Sequence, residues 1–153
     1  MIQSFLSHTM ARKAIELDIV DLQIFNLRDY SNGKYRQIDD TPFGGGPGMV
    51  MMAKPLFKAL DDAIDKLDGI EGLNVLFPSP QGKIWNQKIA QDYTKVEKLI
   101  VICGHYKGID QRVIDKYVTD EYSIGDFVMS CGEIPAMMMI DSIVRLQPGV
   151  LND

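Results

Sequence analysis

The chain has 153 residues, the size of one domain, with 46% hydrophobic and 24% charged residues, a composition that excludes a disordered or fibrous polymer. Sixteen basic against 21 acidic side chains leave a net charge of −5, so bulk basic charge is not what would hold a nucleic acid to this domain. Cys103 and Cys131 form no C-x-x-C pair, no apolar run approaches the roughly 18 residues of a membrane span, and no signal-peptide pattern opens the chain; the reading is a soluble, cytoplasmic protein with no membrane partner and no metal site.

In chain order, residues 2–17 carry Phe5, Leu6, Ala14 and Leu17 on a rough helical stripe. Residues 20–27 place Val20, Leu22 and Ile24 on one face, the alternation of a half-buried strand. Arg28 to Met52 is a long, polar, glycine-rich stretch, beyond the roughly 12–15 residues at which a loop is usually functional or disordered. Pro55 opens a helix with Leu56, Leu60, Ile64 and Leu67 at helical spacing. Strands are predicted at 73–77, 98–103 and near 126–129, and helices at 86–96, around 110–117 and at 134–146, the last with Met137, Ile140, Ile143 and Val144 inward. Strands alternating with helices predict an α/β fold, a mostly parallel sheet with helices on both faces.

In such sheets ligands sit on the loops at the carboxyl ends of the strands. Three of these loops bear glycine: Pro78-Ser79-Pro80-Gln81-Gly82, Gly104-His105-Tyr106-Lys107-Gly108, and Ser123 to Glu133. Each alone reads as a turn. Taken together with the 28–52 loop they read as a pocket in which main chain approaches a flat ligand. Gly44-Gly45-Gly46-Pro47-Gly48 lacks the Lys-Ser/Thr of a P-loop, and no G-x-G-x-x-G, H-E-x-x-H or G-x-S-x-G is present, so dinucleotide, metalloprotease and serine-hydrolase readings fall behind.

Five ordered motifs carry a resemblance: Arg36-Gln37-Ile38-Asp39-Asp40-Thr41-Pro42-Phe43-Gly44-Gly45-Gly46-Pro47-Gly48-Met49, then Ser79-Pro80-Gln81-Gly82, Cys103-Gly104-His105-Tyr106, Ser123-Ile124-Gly125-Asp126, and Arg145-Leu146-Gln147-Pro148-Gly149-Val150-Leu151. Over essentially its whole length the chain resembles the N-terminal domain of bacterial tRNA (guanine-N1)-methyltransferases of the SPOUT class. The resemblance implies S-adenosyl-L-methionine as methyl donor, N1 of the tRNA guanine 3′ of the anticodon as acceptor, a C-terminal trefoil knot, and a homodimer. It also implies that residues 1–153 make up the methyltransferase domain without the family's first strand and without its C-terminal tRNA-binding domain.

By the same resemblance the donor is enclosed by Phe77, Pro78, Ser79 and Gln81, by Gly104, and by Ile124, Gly125, Asp126, Phe127, Val128 and Met129, with Gly132 and Pro135 closing the knot. Gly44, Gly45, Gly46, Gly48 and Met49 approach the target guanine across the dimer, and the catalytic Arg145 faces its O6. Read by itself, Arg145 is a helix-end charge complementing the dipole, and His105 is either a ligand-facing group or an ordinary loop histidine. The chemistry gives these groups work: methyl transfer from a sulfonium needs alignment, N1 must lose a proton to a general base, and charge growing on O6 is stabilised by a fixed guanidinium. The family's general-base Asp follows the Pro-Gly-Val-Leu turn in a linker; Asp153 stands too close to that turn to match it. Where the family has Cys-Gly-Arg-Tyr-Glu-Gly and Thr-Gly-Gly-Glu, this chain has His105, Lys107 and Cys131. The other readings are a non-catalytic donor-binding dimerisation module and a related knotted methyltransferase with another RNA target.

Overall fold

Two short helices, α1 (Ile2–Leu6) and α2 (Met10–Glu16), stand where the first stripe predicts one. The break lies at Ser7-His8-Thr9, whose side chains serve the helix ends instead of continuing the ladder. Ser7 Oγ donates to Gln3 O at 2.7 Å, His8 Nδ1 lies 2.8 Å from Ser4 O, and Thr9 Oγ1 accepts from Ala11 N at 3.2 Å as the cap of α2. The computed structural model describes residues 1–42, 44–105 and 107–151; Phe43 and Tyr106 of the quoted motifs, and Asp153, lie outside the described residues.

The strand expected at 20–27 is not formed. Residues 21–26 belong to no helix, turn or sheet, and a single-turn 3-10 helix follows at Leu27–Tyr30. The alternation is real, but a strand also needs a neighbour with a free edge in hydrogen-bonding reach, and none is present among the described residues. The long loop then becomes an antiparallel ribbon, β1 (Asp39–Asp40) against β2 (Val50–Met51), with the glycine run at its tip. Helix α3 (Ala53–Lys66) starts two residues before the expected Pro55, which sits in its first turn where a missing N–H costs nothing. It buries Leu56, Ala59, Leu60 and Ala63 along one side.

Strand β3 (Leu73–Ile84) is the centre of a three-stranded parallel sheet, flanked by β4 (Lys98–Val101) and β5 (Asp120–Ser123) in the order β4-β3-β5. Helix α4 (Gln87–Tyr93) leads from β3 to β4, and α5 (Gln111–Tyr117) leads from β4 to β5. The strand expected near 126–129 is displaced: the pairing residues are Asp120–Ser123, and 124–132 is a loop in which Phe127 and Val128 are exposed. Helix α6 (Glu133–Val144) buries Met139, Ile143 and Val144, while Met137 and Ile140 are half-buried and Met138 is 54% exposed.

Alternation along β3 divides the core. Val75 and Phe77, with Ile102, pack against Leu56 and Leu60 of α3 and Val113 of α5. Leu76, between them and so on the other face, is also fully buried, and burial of a leucine side chain is worth roughly 1.5–3 kcal/mol. A second cluster joins Ala14 of α2, Ile140 and Val144 of α6, and Val150 of the returning C-terminal segment. Trp85, Tyr93 and Tyr122 stack edge-on or tilted at centroid distances of 5.2–6.0 Å. Trp85 Nε1 donates to Ser142 Oγ at 2.9 Å and the Tyr93 hydroxyl to Asp120 at 2.9 Å, tying α4, β5 and α6 together.

Candidate functional site

The three glycine-bearing loops meet at the carboxyl ends of the parallel strands. The first is an excursion inside β3: Pro78 and Lys83 both register against Tyr122 of β5, so residues 79–82 loop out and return. Gly82 closes that excursion against β5. A Cβ there would stand 2.5 Å from the Glu121 carbonyl carbon and from Tyr122 N, which no side chain allows.

The second and third loops touch through main chain. Gly132 N donates to Gly104 O at 2.6 Å, and Cys131 pairs with His105 in an antiparallel bridge. A Cβ on Gly132 would lie 2.5 Å from Gly104 N and 3.0 Å from the Cys103 carbonyl carbon, and one on Gly104 would lie 2.9 Å from the Phe77 ring. Phe77, Gly104 and Gly132 are therefore stacked at one crossing, where glycine is required by contact rather than by turn geometry. Pro135, in the first turn of α6, is buried just behind it.

The 124–129 loop leaves β5 through a side-chain lock. Ser123, 4% exposed, donates from Oγ to Gly125 O at 2.7 Å and accepts from Gly125 N at 3.2 Å. Beyond it, the main chain from Asp126 to Ser130 makes no hydrogen bond among the described residues. Those N–H and C=O groups, with Ile124 and Met129 half-buried and Phe127 and Val128 exposed, form an apolar-flanked edge that a heteroaromatic ring can pair with. A Cβ on Gly125 would meet the exposed Phe127 ring, not main chain. Ser79 is half-buried and Gln81 exposed, with Gln81 N donating to Ser79 Oγ at 3.3 Å.

One end of the glycine ribbon reaches the same place. Lys107 N donates to Met49 O at 3.1 Å, Met51 N to Gly108 O at 3.1 Å, and the Lys107 stem covers Gly48. Gly45, Gly46 and Gly48 have φ of 72°, 92° and 104°, a left-handed run that fits only glycine comfortably. Gly44, Gly45 and Gly46 are exposed, and a Cβ added at any of them would meet nothing within 4 Å. Arg145 caps α6 and is exposed; among the described residues its guanidinium makes no hydrogen bond or ion pair. The fold thus gathers Phe77, Pro78, Gly104, Gly132, Pro135 and Met49, and leaves Arg145 and the ribbon tip unengaged.

Sequence reasoning missed Ser123 as a lock and the pairing behind the crossing. His105 Nε2 lies 2.6 Å from Glu133 Oε1, while Glu133 Oε2 is buried and has no hydrogen-bond partner among the described residues. Cys103 is beside them. Burial, with the Glu133 carboxylate and Cys131 adding, pushes its thiol up to about 12. Only the adjacency of His105 and Glu133 to the two glycines signals this cluster in sequence.

Comparison with known proteins agrees with this architecture. The profile of the family described as tRNA (Guanine-1)-methyltransferase TrmD matches residues 1–153. A tRNA (guanine-N(1)-)-methyltransferase of Clostridioides difficile is 46% identical over 97% of this chain and 64% of its own length. One from Albidiferax ferrireducens is 49% identical over 97% of this chain and 59% of its own. The crystal structure of tRNA (m1G37) methyltransferase from Aquifex aeolicus superposes with a TM-score of 0.89 at 36% identity, covering 99% of this chain and 67% of that one. The chain spans between 58% and 64% of the length of such curated relatives. With the family profile running from the first residue to the last, the chain belongs to the tRNA (guanine-1)-methyltransferase TrmD family.

Proposed function

We propose that residues 1–153 form the donor-binding and catalytic-arginine domain of an enzyme that methylates N1 of a tRNA guanine, the one 3′ of the anticodon, using S-adenosyl-L-methionine. The observation that carries this reading is the crossing of Phe77, Gly104 and Gly132 beside the unpaired main chain of 126–130. That cradle suits a nucleoside: main-chain donors and acceptors for a base edge, apolar flanks, and glycines where a Cβ would fill the space. When bound, S-adenosylmethionine supplies a methyl group activated by a sulfonium.

The protein's own groups then have distinct tasks. The loops 77–82 and 124–132 orient the donor and exclude water, and alignment is the larger part of an in-line displacement. Arg145, exposed and unpaired among the described residues, is free to donate to guanine O6 as charge develops there. The Gly44–Met49 ribbon approaches the extruded base, and a carboxylate in the linker after Leu151 takes the N1 proton; both roles rest on the family resemblance. The family's trefoil knot suits a chain whose Gly132 packs main chain to main chain against Gly104, and its homodimer suits an α6 that leaves Met138 in solvent. A first strand and a helical tRNA-binding domain outside residues 1–153 complete the assembly in this reading.

Isothermal calorimetry with S-adenosylmethionine and its demethylated product tests the reading. The expected result is saturable binding to wild type and none to Gly132→Val. A folded protein that takes up no heat from either ligand would count against the donor site.

A further inference from the structure

The two loops of the glycine crossing meet through the hydrogen bond from Gly132 N to Gly104 O, and the residue after each glycine carries a polar side chain that joins the same two segments. His105 follows Gly104, Glu133 follows Gly132, and His105 Nε2 lies 2.6 Å from Glu133 Oε1. His105 is held from two further directions. It pairs with Cys131 in the antiparallel bridge, and its N–H donates to Met51 Sδ at 3.1 Å, which ties in β2. Glu133 is held by its place as the first residue of α6.

Charge sets this contact apart from the main-chain ones. In the first turn of α6 the free N–H ends of the helix favour a carboxylate. The Glu133 side chain is only 23% exposed, and its Oε2 is sealed from solvent with no hydrogen-bond partner among the described residues. A carboxylate so placed calls for a cation, because a charge taken out of water without compensation is costly. His105 stands where that cation is needed. Two thiols adjoin the pair: Cys103, which burial keeps protonated at neutral pH, and Cys131 across the bridge. Lys107, two residues beyond His105, lays its stem on Gly48 instead.

We propose that His105 and Glu133 are positioning residues for the methyl donor: as an imidazolium–carboxylate pair they clamp the Gly104–Gly132 crossing, and the clamp slackens when the imidazole loses its proton. Neither side chain touches the donor; both act through the two glycines whose main chain shapes its cradle. With the imidazole charged, the contact is a charge-assisted hydrogen bond, roughly twice as strong as a neutral one. With the imidazole neutral, one tautomer still donates from Nε2, but the carboxylate charge is left unbalanced, and parting the loops lets water reach it. Closure is therefore favoured on the acid side of a histidine titration, which spans about pH 5 to 8, and weakened on the alkaline side. The effect on the donor rests on the donor reading; the clamp between the loops does not.

The test uses the whole 153-residue chain as wild type, His105→Gln and His105→Arg, with unchanged circular dichroism as the check of folding. The first readout needs no ligand: hydrogen exchange of the Gly132 amide, corrected for the intrinsic rate, at about pH 6 and about pH 8.5, on either side of the imidazole titration. Protection in wild type is expected to fall several-fold between the two, to be low and flat in His105→Gln, and to be high and flat in His105→Arg, whose charge is permanent. The second readout is calorimetric affinity for S-adenosylhomocysteine. Its own groups titrate alike against every protein, so the differences between proteins report the clamp. His105→Gln is expected to bind about tenfold more weakly than wild type at the lower pH, the loss of one charge-assisted bond, and His105→Arg to restore binding at both. Equal Gly132 protection in all three proteins would overturn the clamp, as would an arginine variant that behaves like the glutamine one. If protection follows the expected pattern but affinity for the ligand does not, the clamp stands and its control of the donor fails. Absence of ligand binding to all three proteins at both pH values, with protection as expected, would instead overturn the donor reading.

Discussion

Gly132 and Gly125 stand a few residues apart in one loop and differ in what a side chain would cost. At Gly132 a Cβ would strike the Gly104 main chain, which cannot step aside; at Gly125 it would strike the ring of Phe127, which is 56% exposed and can rotate away. Gly125→Ala is therefore expected to fold and retain donor binding within a few-fold, whereas Gly132→Ala loses it. Thermal unfolding and calorimetry on the pair separate the cases. Cys103 gives a second residue-scale expectation. Its thiol is held up to about 12 from an ordinary 9.0, so the folded state keeps a proton that the unfolded state releases from pH 9 upward. Stability is then insensitive to this group below about pH 9. It falls between pH 9 and 12 by up to about 1.4 kcal/mol per pH unit, because the unfolded state binds fewer protons there. Tyr93, raised by burial first and then by its bond to Asp120, steepens the same alkaline loss from pH 10. Denaturant unfolding at stepped pH is the measurement, with Cys103→Ala flattening the first part of the curve. Iodoacetamide at pH 8 is expected to spare Cys103 in the folded chain.

Among the elements, β3 carries the largest share of the packing because, among the described residues, it is the one strand paired on both edges. Leu76→Ala leaves a void between fully buried neighbours and is expected to destabilise by about 2–5 kcal/mol in urea melts. Helix α6 behaves differently around its girth. Met139 is fully buried and Met138 is 54% exposed, so Met139→Ala falls in the same range while Met138→Glu leaves the monomer's stability within about 0.5 kcal/mol. If the proposed homodimer uses this face, Met138→Glu lowers the sedimentation coefficient at micromolar concentration, and an unchanged coefficient excludes the face. Of the predicted inward set on α6, Ile143 and Val144 are buried and Ile140 packs against the second cluster, while the fully buried methionine is Met139 and not Met137, because a nearly uniform apolar run, Ile134 to Ile140, gives periodicity little to select from. The strand expected near 126–129 erred for a related reason: Phe127-Val128-Met129 has strand composition, but Ser123 turns the chain back onto Gly125 just before it.

For the whole molecule, a net charge of −5 and the family resemblance predict that residues 1–153 assayed alone transfer little methyl to tRNA. The acidic domain gains nothing from the phosphate backbone, and removal of a general base costs roughly 10²–10⁴-fold. Transfer of labelled methyl to unmodified tRNA at low salt is the assay. Turnover equal to that of a longer family member would show the other segments to be dispensable, and Arg145→Ala in an active longer form is expected to remove activity. The sequence by itself determined the α/β class, the parallel sheet and the glycine-bearing loops, because helix and strand periods and turn residues are local signals. Its motifs were enough to name the family. Only the tertiary structure decided which glycines are irreplaceable, since that depends on what lies opposite: Gly104 for Gly132, Glu121 and Tyr122 for Gly82, a movable ring for Gly125. Only the tertiary structure, too, leaves residues 20–26 without a strand partner among the described residues. Alternation tells a segment which face to bury, but a strand exists only when a second chain segment brings its open edge to within hydrogen-bonding distance.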